Sequence, residues 1–204
     1  MKTLEEFLED LGYRESSGDY AAKNQFGYLG KYQMGEEALV DTGYYKRRPG
    51  SRHNAWDGEF TGKDGIYTMA NFLDSPSIQE KAQREFKKKQ WGYLKNLGAD
   101  KYIGSKINGI EITPSGLLAA AHLLGQGGVM KYLENNGNAT LTDGYNTNIE
   151  EYLKKFSGYD ISDIIYPSPI TLKARIEKTY DSNNNELTLN ELQELVKKGA
   201  RLKY

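Results

Sequence analysis

Apolar residues recur at helical spacing near the start of the chain. Thr3, followed three residues later by Glu6, forms a capping box that marks where a helix begins. Gly12 favours a stop, which places Glu15 at or just past the C-terminal end of this helix. The apolar face of the predicted helix consists of Leu4, Phe7, Leu8 and Leu11.

Two further helices are predicted where a capping residue precedes a proline. Ser75-Pro76 opens the first helix, and Gly98 closes it. Thr113-Pro114 opens the second, "SGLLAAAHLLG", whose small residues and leucines on nearly every side predict a buried central helix. The helical spacing in the first of the two is carried by Ile78, Ala82, Phe86 and Leu94.

Strand signals are weak along the whole chain. The best candidate is a short hairpin within "KYIGSKINGIEIT", turning at Asn108-Gly109. Beyond it, "NIEEYLKKF" predicts another amphipathic helix. The expected fold class is therefore mainly α, a helical domain with at most a small β-hairpin.

A Pro-Ser-Pro sequence at 167–169 is the only plausible domain boundary. It predicts a main domain over 1–166 and a short C-terminal helical pair over 167–204. Ser168-Pro169 opens one of these helices, and Thr188 with Glu191 caps the last.

Composition narrows the classes of function. The 27 basic and 28 acidic residues nearly cancel, which gives no electrostatic argument for a nucleic-acid partner. Cysteine is absent, which excludes thiol catalysis and cysteine-bound metals. No apolar run approaches the roughly 20 residues that span a bilayer, and the acidic start "MKTLEEFLED" is unlike a signal peptide. We expect a soluble monomer made in the cytoplasm.

Few residues are candidates for chemistry. The two histidines, His53 and His122, belong to no cluster with zinc-site spacing, and "GQGG" follows a helix where a phosphate-binding loop would open one. Ser16 and Ser17 lack the context of a serine nucleophile. Glu15 remains, because a helix C-terminus and nearby aromatic rings both raise a glutamate pKa, as a general acid requires. From the residues alone, a solvated helix-end acid is the favoured interpretation, since a charge at a helix end is common.

The segment "ESSGDYAAKNQFGYLGKYQ" resembles the first two motifs of the lytic transglycosylases and goose-type lysozymes, in the lysozyme-like superfamily. Their third motif is matched in altered form by "AAHLLGQG", with His122 and Leu123 replacing a Tyr-Asn pair. The resemblance covers roughly residues 3–160 and is strongest to a branch found in phage and bacterial wall-degrading proteins. The first two motifs are matched by Glu15, Ser16, Asn24, Gly27, Gly30 and Gln33.

The resemblance implies a lysozyme-like domain that cleaves peptidoglycan glycan strands, with Glu15 donating a proton to the glycosidic oxygen. It needs no cofactor. Such an enzyme would act on the cell wall or periplasm after delivery by phage lysis machinery, a virion or a secretion system. The substrate-binding residues that it implies are Ser16, Asn24, Tyr28, Gly30, Tyr32, Gln33, His122 and Tyr152.

Several assignments remain open at the level of sequence. His122 is either a buried, hydrogen-bonded core histidine or a residue that faces the cleft, and Tyr152 is either a core residue or the late tyrosine near the acid. A hydrolase needs a second carboxylate, which a transglycosylase does not. The candidates for it, Asp57, Glu59 and Asp64, are better explained as acids that cap or decorate a loop.

The segment "DSNNNELTLNEL" resembles a degenerate EF-hand loop. It is one residue short, and Glu186 stands where glycine is usual, so we expect a helix–turn–helix without metal. The candidate calcium ligands are Asp181, Asn183, Asn185 and Glu191.

Three function classes follow from these observations: a peptidoglycan-cleaving enzyme, a wall-binding module of the same fold without turnover, and a calcium-responsive interaction protein. Within the first class, the first two motifs most closely resemble those of enzymes that use a single glutamate. This resemblance favours a lytic transglycosylase over a muramidase.

Overall fold

The computed structural model describes residues 2–138, 141–144 and 146–166. The chain divides into two units, Met1–Ile161 and Ser162–Tyr204. Within the first unit the helices are α1 (Leu4–Ser16), α2 (Glu36–Asp41), α3 (Met69–Leu73), α4 (Pro76–Leu97), α5 (Pro114–Glu134) and α6 (Ile149–Lys155). In the second unit the structure describes one short helix, α7 (Ser162–Ile165).

Two small antiparallel sheets accompany the helices. β1 (Tyr45–Lys46) pairs with β2 (Glu59–Phe60), and β3 (Lys106–Ile107) pairs with β4 (Ile110–Glu111). The second sheet is the predicted hairpin, and the turn residues Asn108 and Gly109 both have positive φ. The mainly α fold class is confirmed. The β1–β2 sheet, α2 and α3 were not predicted, since elements of two to six residues show no readable period.

Helix α1 runs farther than its sequence pattern predicted. The capping box between Thr3 and Glu6 is present, and the predicted apolar face is buried. Gly12 does not end the helix, which continues to Ser16. A Cβ on Gly12 would lie 2.5 Å from Cε of Lys31, so this glycine makes room for the lysine side chain. The extension places Glu15 in the last turn of α1.

Helix α4 has the predicted start and stop, with Gly98 in the left-handed conformation as its C-cap. Its inward face is only partly as predicted: Ala82 and Leu94 are buried. Ile78 and Phe86 are only partly buried, whereas the fully buried positions include a stripe of polar side chains at helical spacing. These polar residues are Gln79, Gln83, Lys87 and Gln90.

Helix α5 is the buried central helix that its composition predicted. Its residues from Ser115 to Ala121 are all buried, and it packs against both α4 and α6. The helical conformation breaks at Gly125, where φ is 67° and ψ is 171°. Glycine tolerates this backbone conformation because it has no Cβ. The break leaves His122 in the last turn of the first half of α5.

Two sequence-based expectations concern other parts of the chain. The C-terminal helical pair and the calcium-site candidates fall outside the described residues. Within the described ranges, no helix is long and apolar enough to cross a membrane.

Candidate active site

The carboxyl group of Glu15 is largely withdrawn from solvent. Its side chain is only 16% exposed. Burial raises the pKa of Glu15 above its usual value, because the charged form loses hydration. A hydrogen bond from Tyr152 and the charges of Lys87 and Arg14 act in the opposite direction but do not cancel the effect of burial. Glu15 therefore has the raised pKa of a group that holds a proton for transfer.

Two residues from distant parts of the chain meet Glu15. The hydroxyl of Tyr152, on α6, donates a hydrogen bond of 2.6 Å to Oε1. Nε2 of His122, on α5, lies 3.8 Å from the same oxygen. Among the described side chains, none donates a hydrogen bond to Oε2 of Glu15. The first helix supplies the acid, and α5 and α6 supply the groups that surround Oε1.

His122 faces Glu15 as a neutral imidazole. Its side chain is 7% exposed, and burial together with the charge of Lys87 lowers its pKa well below the usual value. The contact with Glu15 is therefore no ordinary ion pair, because the histidine carries no charge at neutral pH. Nδ1 of His122 is buried and has no hydrogen-bond partner within the described part of the chain. His122 is therefore buried, as expected of a core histidine, and it also lies beside Glu15.

Three of the proposed substrate-binding residues make hydrogen bonds that hold the motif loop together. The Ser16 hydroxyl donates to the Lys31 carbonyl at 2.9 Å, joining the end of α1 to the loop. Oδ1 of Asn24 accepts from two backbone N–H groups, those of residues 26 and 28. Nε2 of Gln33 donates to the Gly30 carbonyl at 2.9 Å. These side chains determine the shape of the loop beside Glu15.

Tyr32 is buried behind the loop, although the resemblance placed it among the substrate-binding residues. Its side chain is 0% exposed, and its hydroxyl donates a 2.6 Å hydrogen bond to Oε2 of Glu80 on α4. Lys31 also turns inward and bonds Glu80 and Glu9. Tyr32 is consequently part of a buried polar cluster, and its ring offers no exposed face to a sugar.

Gly30 also faces the interior. A Cβ at this position would clash with Oε1 of Gln79, and φ is +69°. The glutamine accepts a hydrogen bond from the Lys31 backbone and donates to the Tyr20 carbonyl. The glycine is therefore required by close packing against α4, whatever approaches the outer side of the loop.

Tyr28 is the other tyrosine that the resemblance assigned to the groove, and it remains partly exposed. Its hydroxyl lies 3.3 Å from Nε2 of His53, and the two rings pack edge to face. His53 belongs to the basic loop 46–53, so this contact places a basic segment beside the glycine-rich motif. Tyr28 retains a surface that a sugar ring can contact.

The three candidates for a second carboxylate do not contact Glu15. Asp64 accepts a hydrogen bond from Tyr44 at 2.6 Å and pairs with Lys81 at 2.7 Å. These partners lower its pKa. Asp57 and Glu59 are exposed residues of the loop that leads into β2 and of β2 itself. A structural role explains Asp64 completely.

A different acid, Asp143, acts on the site. Its charge raises the pKa of both Glu15 and Tyr152. Its Oδ1 accepts a hydrogen bond from the Thr147 backbone at 2.7 Å, which fixes the turn that precedes α6. Asp143 was not predicted as a site residue, because an Asp-Gly dipeptide is typical of an ordinary turn.

Lys87 was also missed. It is fully buried on α4, and its charge acts on both Glu15 and His122. The sequence signal is the stripe of polar residues on a helix whose other residues predicted an apolar face.

Within the described ranges, no group of three or more His, Cys, Asp or Glu side chains is arranged to hold a metal ion. The groups around Glu15 include the phenol of Tyr152, the neutral imidazole of His122 and the buried amine of Lys87. No family model, no curated protein and no solved structure matches this chain.

Proposed function

We propose that this chain cleaves the β-1,4 bond between N-acetylmuramic acid and N-acetylglucosamine in peptidoglycan, with Glu15 as the general acid. The observation that carries the proposal is the largely buried carboxyl group of Glu15, whose pKa is raised and whose Oε1 is held by the Tyr152 hydroxyl. The resemblance of residues 15–33 to the lytic transglycosylase motifs supplies the substrate class.

The reaction begins with proton transfer from Glu15 to the glycosidic oxygen as the bond from that oxygen to C1 of the muramic acid breaks. The C6 hydroxyl of the same sugar then bonds to C1, and its proton returns to Glu15. One carboxyl group serves both steps, so the cycle restores the starting enzyme. The attack is intramolecular and gains from proximity.

The surroundings of Glu15 support this single-acid cycle. Burial raises the pKa of the carboxyl and so favours its protonated form, and the hydroxyl of Tyr152 stabilises the carboxylate formed after proton donation. His122 is uncharged near neutral pH, so it offers no imidazolium that could donate a proton in place of Glu15. The 1,6-anhydro product of a lytic transglycosylase is the outcome that these features favour.

A second candidate is a muramidase that hydrolyses the same bond. It is favoured by one observation, the charge of Asp143 acting on Glu15. A hydrolase uses a second carboxylate, either as a nucleophile about 5–5.5 Å from the acid or to activate water about 6.5–9.5 Å from it. In this alternative, Asp143 replaces Asp57, Glu59 and Asp64 as the residue in that role.

The decisive experiment is the clearing of purified peptidoglycan by the wild-type protein and by Glu15→Gln. Loss of a positioned acid reduces the rate by a factor of about 10² to 10⁴. Glu5→Gln is the matched control, since Glu5 lies on the same helix with its side chain 68% exposed. We expect the control to clear at the wild-type rate, with and without calcium.

The outcomes separate the function classes. A folded Glu15→Gln variant that clears at the wild-type rate contradicts the assignment of the acid. A wild-type protein that sediments with peptidoglycan but never clears it is a wall-binding module. Clearing that stops when calcium is chelated shows instead that the metal takes part in the activity.

A further inference from the structure

The chain contains two buried lysines with opposite electrostatic surroundings. Lys31 pairs with Glu9 at 2.6 Å and Glu80 at 2.9 Å, and these partners raise its pKa. Lys87 is 0% exposed, and no carboxylate among the described residues lies within ion-pair distance of it. Burial lowers the pKa of Lys87 to about 7, and Glu15 is the charge that opposes this effect. An unpaired ammonium in a protein interior is costly, so its presence calls for an explanation.

The ammonium group of Lys87 contacts the part of α5 that precedes the break at Gly125. Nζ donates to Oε1 of Gln90 at 2.8 Å and lies 3.5 Å from the Leu118 carbonyl. Nε2 of Gln90 in turn donates to the Ala121 carbonyl at 3.0 Å. Both carbonyls belong to the half of α5 that ends at the Gly125 break.

This arrangement lies one turn from His122. In an α-helix the carbonyl of residue 118 accepts the N–H of residue 122, so Lys87 contacts the turn that carries the histidine. His122 is on the side that meets Glu15. Lys87 therefore stands behind the two residues whose protonation matters for the cleavage.

The charged and titratable groups around Glu15 come from five places. Arg14 lies beside it on α1, Lys87 on α4, His122 on α5, Tyr152 on α6 and Asp143 on the preceding turn. The cationic charge of Lys87 lowers the pKa of Glu15 and of His122, whereas Asp143 raises the pKa of Glu15.

We propose that Lys87 is a positioning residue whose buried ammonium group, set against the turn of α5 that carries His122, stabilises the Glu15 carboxylate formed after proton donation. The role in catalysis rests on the proposed function. Below about pH 7 Lys87 is charged before the reaction, so no reorganisation is needed when the carboxylate forms. Lys87 belongs to the stripe of buried polar residues on α4, and through it this helix places one positive charge in the interior near Glu15.

The test compares Lys87→Met with Gln83→Met. Methionine matches the length of lysine without its charge. Gln83 is a matched control, being fully buried one turn earlier on α4, with an amide that has no partner in the described part of the chain. Carbon-13 NMR of labelled glutamate carboxyl groups measures the Glu15 midpoint, assigned by its loss in Glu15→Gln. The His122 ring resonances report the second site.

We expect the midpoint of Glu15 to rise by about one pH unit or more in Lys87→Met, as loss of a nearby opposite charge requires. His122 should protonate at a higher pH, and Gln83→Met should move neither midpoint. Unchanged midpoints in a folded Lys87→Met overturn the proposal. Lys87→Gln, which is shorter and polar, replaces Lys87→Met if the latter does not fold.

The wild-type protein offers a test that needs no substitution. The ¹³Cε resonance of one lysine should titrate near pH 7, as the buried amine requires. A lysine midpoint below that of Glu15 overturns the proposal, because the amine would then be neutral when the carboxylate forms. If the midpoints shift as expected but the wild-type protein does not cleave peptidoglycan, the proposed reaction is wrong and the electrostatic effect of Lys87 on Glu15 remains.

Discussion

The hydroxyl of Tyr152 donates a 2.6 Å hydrogen bond to Oε1 of Glu15, joining residues that lie 137 positions apart in the chain. The contact brings the end of α1 against α6. It also has a chemical effect, since a donor to the carboxylate favours the ionised form. Tyr152 therefore opposes the effect of burial on Glu15, and its own pKa is raised by burial and by the Glu15 charge.

Tyr152→Phe should raise the pKa of Glu15 further, because the bond that favours ionisation is lost. The high-pH limb of the clearing activity, where Glu15 loses its proton, should move to higher pH. The maximal rate should fall by about tenfold to a hundredfold, because the carboxyl group is no longer held in position. A pH–rate profile of clearing measures both effects.

Tyr132→Phe is the matched control for this variant. The hydroxyl of Tyr132 also donates to a glutamate, Glu150, at 3.0 Å, and the residue is equally buried. The control should lose stability without a change in the pH profile. Identical profiles for wild-type and Tyr152→Phe would remove Tyr152 from the site.

The position of Glu15 at the C-terminal end of α1 was predictable because it follows from one continuous segment. The helix starts at Thr3, Pro76 and Pro114 were predictable for the same reason, since each rests on adjacent residues. The contact of His122 with Glu15 was left open by the sequence, because it depends on how α5 packs and where it breaks at Gly125.

The orientation of loop residues was less predictable. Tyr28 and Tyr32 lie four positions apart in the same glycine-rich loop, yet one is partly exposed and the other is buried. The left-handed backbone at Gly30 turns the chain between the two tyrosines. No residue pattern specifies which side of such a turn faces the core. The buried polar stripe of α4 was not predicted, because a lysine on a helix is usually exposed to solvent.

Gly30→Ala should destabilise the fold strongly. The left-handed backbone costs about 1–2 kcal/mol for a residue with a Cβ. That Cβ would also clash with Oε1 of Gln79, so the glutamine must abandon its bonds to the loop. A total loss of about 2–4 kcal/mol in the free energy of unfolding is expected. Urea denaturation measures it.

Gly18→Ala separates the two contributions to this loss. Gly18 has φ of +82°, and a Cβ added to it would meet no atom within 4 Å, so only the backbone cost applies. The free energy of unfolding should fall by about 1–2 kcal/mol. Equal losses in the two variants would show that Gln79 moves aside freely.

Glu15→Gln should stabilise the protein at neutral pH. An acid whose pKa is raised on folding binds more protons in the native state than in the unfolded state, so its contribution to stability falls as pH rises. The loss begins near the unfolded value of 4.5 and is complete above the raised native pKa. Glutamine removes the buried charge. The gain in melting temperature should be present at pH 8 and absent at pH 3, and a uniform difference at both would contradict the raised pKa.

Asp143→Asn should lower the pKa of Glu15, because the charge of Asp143 raises it. The high-pH limb of clearing should move to lower pH, the opposite direction from Tyr152→Phe. Asp64→Asn is the control: it should lose stability through the bonds to Tyr44 and Lys81 and keep the wild-type pH profile. A shifted profile in Asp64→Asn would return that residue to the site.

The product of cleavage decides between the two reactions, and the prediction follows from the number of acids that the chemistry needs. A transglycosylase uses Glu15 twice and leaves 1,6-anhydro-muramic ends, whereas a hydrolase adds water through a second carboxylate. Mass spectrometry of the digest distinguishes them, since anhydro ends are lighter by one water. We expect anhydro ends from both the wild type and Asp143→Asn. Reducing ends from the wild type, with cleavage lost in Asp143→Asn, would identify Asp143 as the residue that activates water.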